Sequence, residues 1–343
     1  MKNIIRFKLL LSAALCIAIL MIAVGVGSVN IGITDICRIL GNKLFGIKLP
    51  ENLDPILVSI LWNIRLPRAL AAFVEGCALA VSGTVMQSVL RNPLASSYTL
   101  GVSSGASLGA AIVIITGISI PVAGMFSLPI AGFTFGLATV FLAMGFSLRL
   151  DRNMENNTII LVGMVLSLFV NALLTLIIAL SKEHLQQLIF WQMGSFSAIG
   201  WPKLAVLAAV TLAGTFFLMR YVQDMDMMTF GEEKALSVGV ELKKVKFILI
   251  AVAALITGTA VSFTGIIGFV DLIAPHVVRK IFGSSHRLVI PAAALFGGAF
   301  MTLADLVSRT AISPSELPVG AVTALIGAPF FAYIYFRKGK RRA

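Results

Sequence analysis

The sequence predicts an all-α, polytopic membrane protein with about ten transmembrane helices, and three observations predict it. Of the 343 residues, 58% are hydrophobic and 12% charged, whereas a soluble chain is about half apolar and about one quarter charged. The apolar residues gather in runs near the roughly 20 residues that cross a bilayer. Basic residues stand in short clusters between those runs, where membrane topology is written. The same composition excludes disordered, collagenous and disulfide-scaffold classes. A net charge of +12 would suggest nucleic acid in a soluble protein. Its placement between apolar runs assigns it to topology instead, and no nucleic-acid partner is expected.

The chain opens with Lys2, Arg6 and Lys8 and continues apolar over 9–26. That run exceeds the roughly 7–15-residue core of a signal peptide, so a retained first helix is expected. Further spans fall at about 63–89, 99–118, 122–147, 158–181, 203–221, 245–263, 266–282, 288–308 and 318–336. Gly76, Gly83, Gly101, Gly105 and Gly109 within them mark close helix–helix approach. Ten spans put both termini on one side. With the termini in the cytoplasm, 19 of the 27 Lys and Arg fall inside, among them Arg152, Lys246, Arg279, Lys340, Arg341 and Arg342. Eight fall outside, including Arg38, Arg65, Arg68, Lys182 and Arg309, which is the positive-inside asymmetry. Trp62, Trp191 and Trp201 collect near the outer interface, where an amphipathic ring is comfortable.

Residues 1–343 read as one transmembrane domain with two longer loops. The external one, about 28–61, holds Pro50, Glu51, Asp54 and Pro55. The internal one, about 222–244, contains a short helix over 232–237 flanked by Gly231 and by Gly239 as its stop. Such a helix on the inner face is either a docking surface for a soluble partner or a plain surface loop.

Several chemistries have no sequence support. No GxxxxGK[ST] loop is present to cradle ATP, and HExxH and GxSxG are also missing. The chain therefore reads as a non-enzyme with no cofactor and no metal set. His184, His276 and His286 are far apart in the predicted topology and read as satisfied polar residues. Cys16, Cys37 and Cys77 form no disulfide framework and read as small buried apolar side chains. Charges inside apolar runs carry more information, because hydrocarbon penalises them. Asp305 has Arg309 one helical turn later as a partner. Glu75 and Asp271 have no local partner, so a substrate or ion path and a structural pairing both stay open.

Four stretches resemble the FecCD-type permeases of ABC importers for iron chelates and cobalamin. They are Arg65-Leu66-Pro67-Arg68 with Gly76–Gly83 and Gln87; Arg91-Asn92-Pro93-Leu94-Ala95 with Leu100–Ala106; Gly268–Arg279 with His286-Arg287; and Ala304-Asp305, Arg309, Glu316–Gly320 with Gly327–Phe330. They run in family order from residue 65 to the C-terminal region. The resemblance implies a ten-helix subunit in the bacterial cytoplasmic membrane, paired with a second copy (a homodimer or a pseudo-symmetric pair) around a substrate path. It also implies two cytoplasmic ATPase subunits and an extracytoplasmic binding protein. On that pattern Gly231, Glu232, Glu233, Lys234 and Ala235 contact the ATPase. Arg65, Arg68 and Arg309 match positions where acidic residues of the binding protein dock, a task suited to the planar guanidinium fork; simple interfacial snorkelling is the competing reading. Asn156 and Asn157 fall at the inner gate, where the family uses small hydroxyl residues. The segment 190–195 resembles the short helix that covers the path on its outer side. Glu75 and Asp271 depart from the family's small residues, and with Gln87 they are the polar path-lining candidates. The expected function is passive translocation of a metal chelate, a ferric siderophore foremost, with haem or cobalamin as other cargoes. An ion-coupled secondary transporter using Glu75 and Asp271 is the alternative from another class.

Overall fold

A computed structural model of the chain describes residues 2–27, 29–50, 53–118, 123–151 and 153–339. Of the residues used above for topology, Glu51, Arg152, Lys340, Arg341 and Arg342 lie outside the described residues. The elements are α1 (Lys2–Gly25), α2 (Ile33–Phe45), α3 (Pro55–Ser59), α4 (Leu66–Val89), α5 (Val102–Thr116), α6 (Ser127–Leu150), α7 (Asn156–Leu180), α8 (Leu185–Met193), α9 (Trp201–Leu218), α10 (Val222–Thr229), α11 (Glu232–Ser237), α12 (Leu242–Thr264), α13 (Val270–Phe282), α14 (His286–Thr310) and α15 (Val319–Gly339). No strand occurs among the described residues.

Seven of these helical stretches are long and apolar enough to cross a membrane, and α5 and the apolar part of α15 are shorter. The expected span over 266–282 takes a different form. Residues 265–269 are not helical, and α13 has 13 residues, about 20 Å at 1.5 Å per residue, against a hydrocarbon core of about 30 Å. One face of α13, with Val270, Asp271, Ile273, Ala274, Pro275 and Val278, is buried against its neighbours, and side chains of other elements satisfy backbone carbonyls in this segment. Tyr98 Oη donates to the Ile267 carbonyl of the non-helical stretch at 2.8 Å, while Gln87 Nε2 reaches the Asp271 and Leu272 carbonyls in the first turn of α13 at 3.3 and 3.4 Å, where Pro275 has no amide to offer Asp271. Non-helical backbone at membrane depth survives only with such partners.

The loop expected at about 28–61 is also more ordered than its composition suggests. It contains α2 and α3, and helix runs without a break from Pro55 to Val89. Between α3 and α4 the chain makes a π-helical turn over Ile60–Arg65. Pro67 is the cause. Its ring disfavours the normal i−4 approach and it has no N–H to donate. The Leu66 amide reaches back five residues to the Leu61 carbonyl, and the Trp62 carbonyl, next in that register, would be left without a donor. The Trp201 indole Nε1 supplies it at 3.0 Å, with the two indole rings 4.9 Å apart.

Helix α4 is the centre of the molecule, surrounded by α9, α12, α13 and α14. Its small residues allow that crowding: Ala69, Ala71, Ala72, Gly76, Ala78, Ala80, Ser82 and Gly83 are all buried. A methyl group on Gly76 would overlap the Gly297 carbonyl of α14, and one on Gly83 the Asp271 carbonyl of α13. Of the cysteines, Cys16 is buried and Cys77 half-buried, each donating to a carbonyl of α14. Cys37 is exposed rather than buried.

Candidate functional site

Three places in the bundle gather the polar residues singled out by sequence. At the end where α4 begins, Arg65, Arg68 and Arg309 share one cleft of about 440 Å³ with Gly27, Ile60, Ile64, Ser313, Pro314 and Glu316. Arg65 closes the π turn, Arg68 follows Pro67, and Arg309 sits in the last turn of α14.

Arg68 uses both edges of its fork. Its Nε and Nη2 donate to Asp305 Oδ1 at 3.0 and 2.8 Å, and its Nη1 and Nη2 to Glu316 at 2.7 and 3.0 Å. Asp305 is therefore held mainly across the helix interface. The expected Asp305–Arg309 pair exists at the longer distance of 3.6 Å. Arg65 and Arg309 instead find backbone. Arg65 Nη1 donates to the Val24 and Gly25 carbonyls at 3.3 and 3.0 Å, and Arg309 Nη2 to that of Ala23. These are the orphan carbonyls that end α1, where a cation is favoured. The cleft thus holds three guanidinium groups and two carboxylates, and keeps net positive charge. Glu316, on the loop between α14 and α15, is held below the usual carboxylate range by its hydrogen bond from Arg68.

At the opposite end of α4 the loop over 222–244 folds as α10 and α11. Helix α11 has the predicted bounds, between Gly231 at φ 121° and Gly239 at φ 89°, values that favour glycine. Glu232 and Glu233 occupy its first turn, where the helix dipole favours acids. Glu233 and Lys234 are exposed and Ala235 is buried. Phe230, Leu236 and Val238 are exposed apolar residues on the same surface.

Next to this surface lies the turn into α7. Asp151 accepts the amides of Asn153 and Glu155 at 2.8 and 2.6 Å, and those two bonds hold its carboxyl below the usual range. Met154 follows, buried and at φ 53°. Asn156, half-buried, starts α7 with its Oδ1 unbonded, and Asn157 is exposed. The Lys246 ammonium, fully buried, donates to the Met154 carbonyl at 2.9 Å and to Glu232 Oε1 at 2.8 Å. Sequence reasoning counted Lys246 only as an inside charge. Its position beside Val245, at the mouth of an apolar run, was the available signal.

A second link on this face was also missed. Asp226 of α10 accepts from the His286 amide at 2.9 Å, pairs with His286 Nδ1 at 2.6 Å and receives the Ser285 hydroxyl at 3.2 Å. The other ring nitrogen of His286 meets the Ser88 hydroxyl of α4. His286 is a satisfied polar residue, as its sequence context implied.

The third place is the interior. Glu75 is fully buried on α4, with Oε1 taking the Thr264 hydroxyl at 3.1 Å and Oε2 unbonded. Asp271 receives the Ser96 hydroxyl, and its Oδ1 is unbonded. Gln87 accepts from Arg279 Nη1 at 2.6 Å and donates to the start of α13. All three side chains are buried inside the packing of this one chain, because α9, α12, α13 and α14 close over α4.

Comparison with known proteins agrees with this architecture. The model of the FecCD transport family matches residues 15–337. The chain is 40% identical over 319 residues to the uncharacterised ABC transporter permease YvrB of Bacillus subtilis, covering 93% of this chain and 90% of that one. It is 33% identical over 328 residues to HmuU of Yersinia pestis, a hemin transport system permease, covering 95% of each. A solved inward-facing conformation of a metal-chelate type ABC transporter superposes with a TM-score of 0.84 at 30% identity, covering 97% of this chain and 99% of that one. The chain belongs to the FecCD transport family, as a multi-pass permease subunit of an ABC importer.

Proposed function

We propose that the chain carries a bulky metal chelate, a ferric siderophore foremost, across the bacterial cytoplasmic membrane as one half of a homodimeric permease. Separate ATPase subunits supply the energy and an extracytoplasmic binding protein supplies the cargo. The observation that carries this reading is similarity along the full chain to a hemin permease and to a metal-chelate transporter, in a molecule with no phosphate loop of its own.

In this reading the α10–α11 face looks into the cytoplasm and the arginine cleft looks out. Gly231, Glu232, Glu233, Lys234 and Ala235 form the ATPase contact, supported by the exposed Phe230, Leu236 and Val238 around them. Asn156 and Asn157 stand at the inner gate. In the cleft, Arg68 is occupied by Asp305 and Glu316. Arg65, bonded only to backbone, and Arg309, whose Nε makes no hydrogen bond, are the docking cations for an acidic lobe, with Arg68 holding the loop beneath them. Hemin is the second cargo reading, favoured by the likeness to HmuU over 95% of both chains.

The test is uptake into vesicles carrying the permease, its co-expressed ATPase and its binding protein, offered radiolabelled ferric siderophore or hemin. Vanadate should stop accumulation while a protonophore leaves it. Accumulation that a protonophore abolishes and vanadate does not touch would overturn the ATP-driven reading. Uptake of hemin alone would reassign the cargo.

A further inference from the structure

Lys246 is the unusual residue of the loop end. An ammonium with no solvent exposure is rare, because burying a charge is costly unless it is paired and hydrogen-bonded. Its two partners belong to different parts of the machine. Glu232 is in the first turn of α11, and the Met154 carbonyl is in the turn that enters α7. Lys246 itself stands one turn into α12, which packs along α4 and α6.

Neither partner is loosely held. The 151–155 turn is fixed by three bonds to Asp151: its carboxylate takes the amides of Asn153 and Glu155, and its carbonyl takes that of Met154 at 3.1 Å. Met154 is buried with a left-handed backbone, a conformation non-glycine residues hold only when their surroundings enforce it. Helix α11 is one short rigid turn, closed by the Ala235 amide on the Gly231 carbonyl at 3.0 Å. A displacement of α11 must therefore either drag the Lys246 ammonium off the Met154 carbonyl, leaving a buried charge half-satisfied, or move the turn with it.

We propose that Lys246 is the positioning residue that transmits movement of α11 to the turn entering α7, so that the α11 surface and the Asn156–Asn157 end of α7 shift as one body. The proposal rests on the reading of α11 as the ATPase contact. It adds the residue through which that contact reaches α7. A lysine suits the role because its three rotatable donors can hold a carboxylate and a carbonyl at once.

The experiment is hydrogen exchange on the assembled permease–ATPase complex, with and without ATP and vanadate. In the unaltered complex, exchange should change on trapping both at 232–237 and at 153–159. In Lys246→Met, co-purification of the ATPase and the change at 232–237 should persist, while the change at 153–159 falls by about tenfold or more. Lys246→Arg should restore it in part. Lys246→Gln, uncharged and too short to span the Glu232 carboxylate and the Met154 carbonyl at once, is the second variant; it should show the same separation should Lys246→Met assemble poorly. An undiminished response at 153–159 in both Lys246→Met and Lys246→Gln would overturn the relay while leaving the ATPase contact standing. No response at 232–237 in the unaltered complex would overturn the ATPase contact, and the relay with it.

Discussion

Arg68 shows how little of a side chain's role is visible in its own sequence neighbourhood. Its carboxylate partners lie 237 and 248 residues away, and together they clamp both edges of its guanidinium fork. Glu316 is the accessible half of that clamp, with its side chain 40% exposed, so the pair contributes about 1 kcal/mol after solvent screening. The sign of its pH dependence follows from the lowered pKa. The contribution is fully present above the ordinary glutamate value and is lost as pH falls through the lower folded value. The melting difference between the unaltered protein and Glu316→Gln should hold from about pH 7 to about pH 5 and close below about pH 4. A difference that fades already near neutrality would contradict the assignment.

At the scale of elements, packing is set by α4 and by the glycines that let α14 and α13 reach its backbone. Gly297→Leu would drive a side chain into the Gly76 carbonyl and the Ala80 methyl. Overpacking of this kind costs about 1–3 kcal/mol and should lower the melting temperature in detergent by several degrees. The same substitution at Gly145, which has open space around it, should change little and serves as the control. Much at this scale was legible beforehand. The α11 bounds followed from Gly231 and Gly239, and the long spans from unbroken apolar runs. Two things were not. Residues 266–282 are apolar enough to resemble a span, yet Tyr98, which satisfies their non-helical backbone, and Gln87, which takes the Asp271 carbonyl that Pro275 leaves open, come from elsewhere in the chain. The π turn at 60–65 needed Trp201 to complete it, 139 residues away. Local pattern reports what a segment prefers; it does not report which distant donor lets the segment depart from that preference.

For the whole molecule, charge is sorted by end. One end carries the arginine cleft, and the other carries α10, α11 and the ion pairs that tie them to α12 and α14. Between the ends, Glu75 and Asp271 are buried carboxylates. Glu75 and Asp271 stood out in the sequence because they interrupt apolar runs, and the structure gives each a single hydroxyl donor inside the packing of the one chain. The docking proposal belongs at this scale because it needs a second protein. Arg65→Glu combined with Arg309→Glu should abolish stimulation of ATP hydrolysis by the binding protein while basal hydrolysis stays within about twofold. Stimulation that survives the double reversal would remove both arginines from the interface. Arg68→Lys should act differently, lowering thermal stability first, because lysine cannot span two carboxylates as a planar fork does.

The indole clasp between Trp62 and Trp201 has a practical consequence. The chain has three tryptophans, and two of them lie against each other, tilted by 39°, beside the turn that carries Arg65. Their emission is a built-in lamp for that turn. Any ligand or protein that settles on the arginine cleft and shifts the turn should alter the ring overlap, and with it the colour or brightness of the unlabelled subunit.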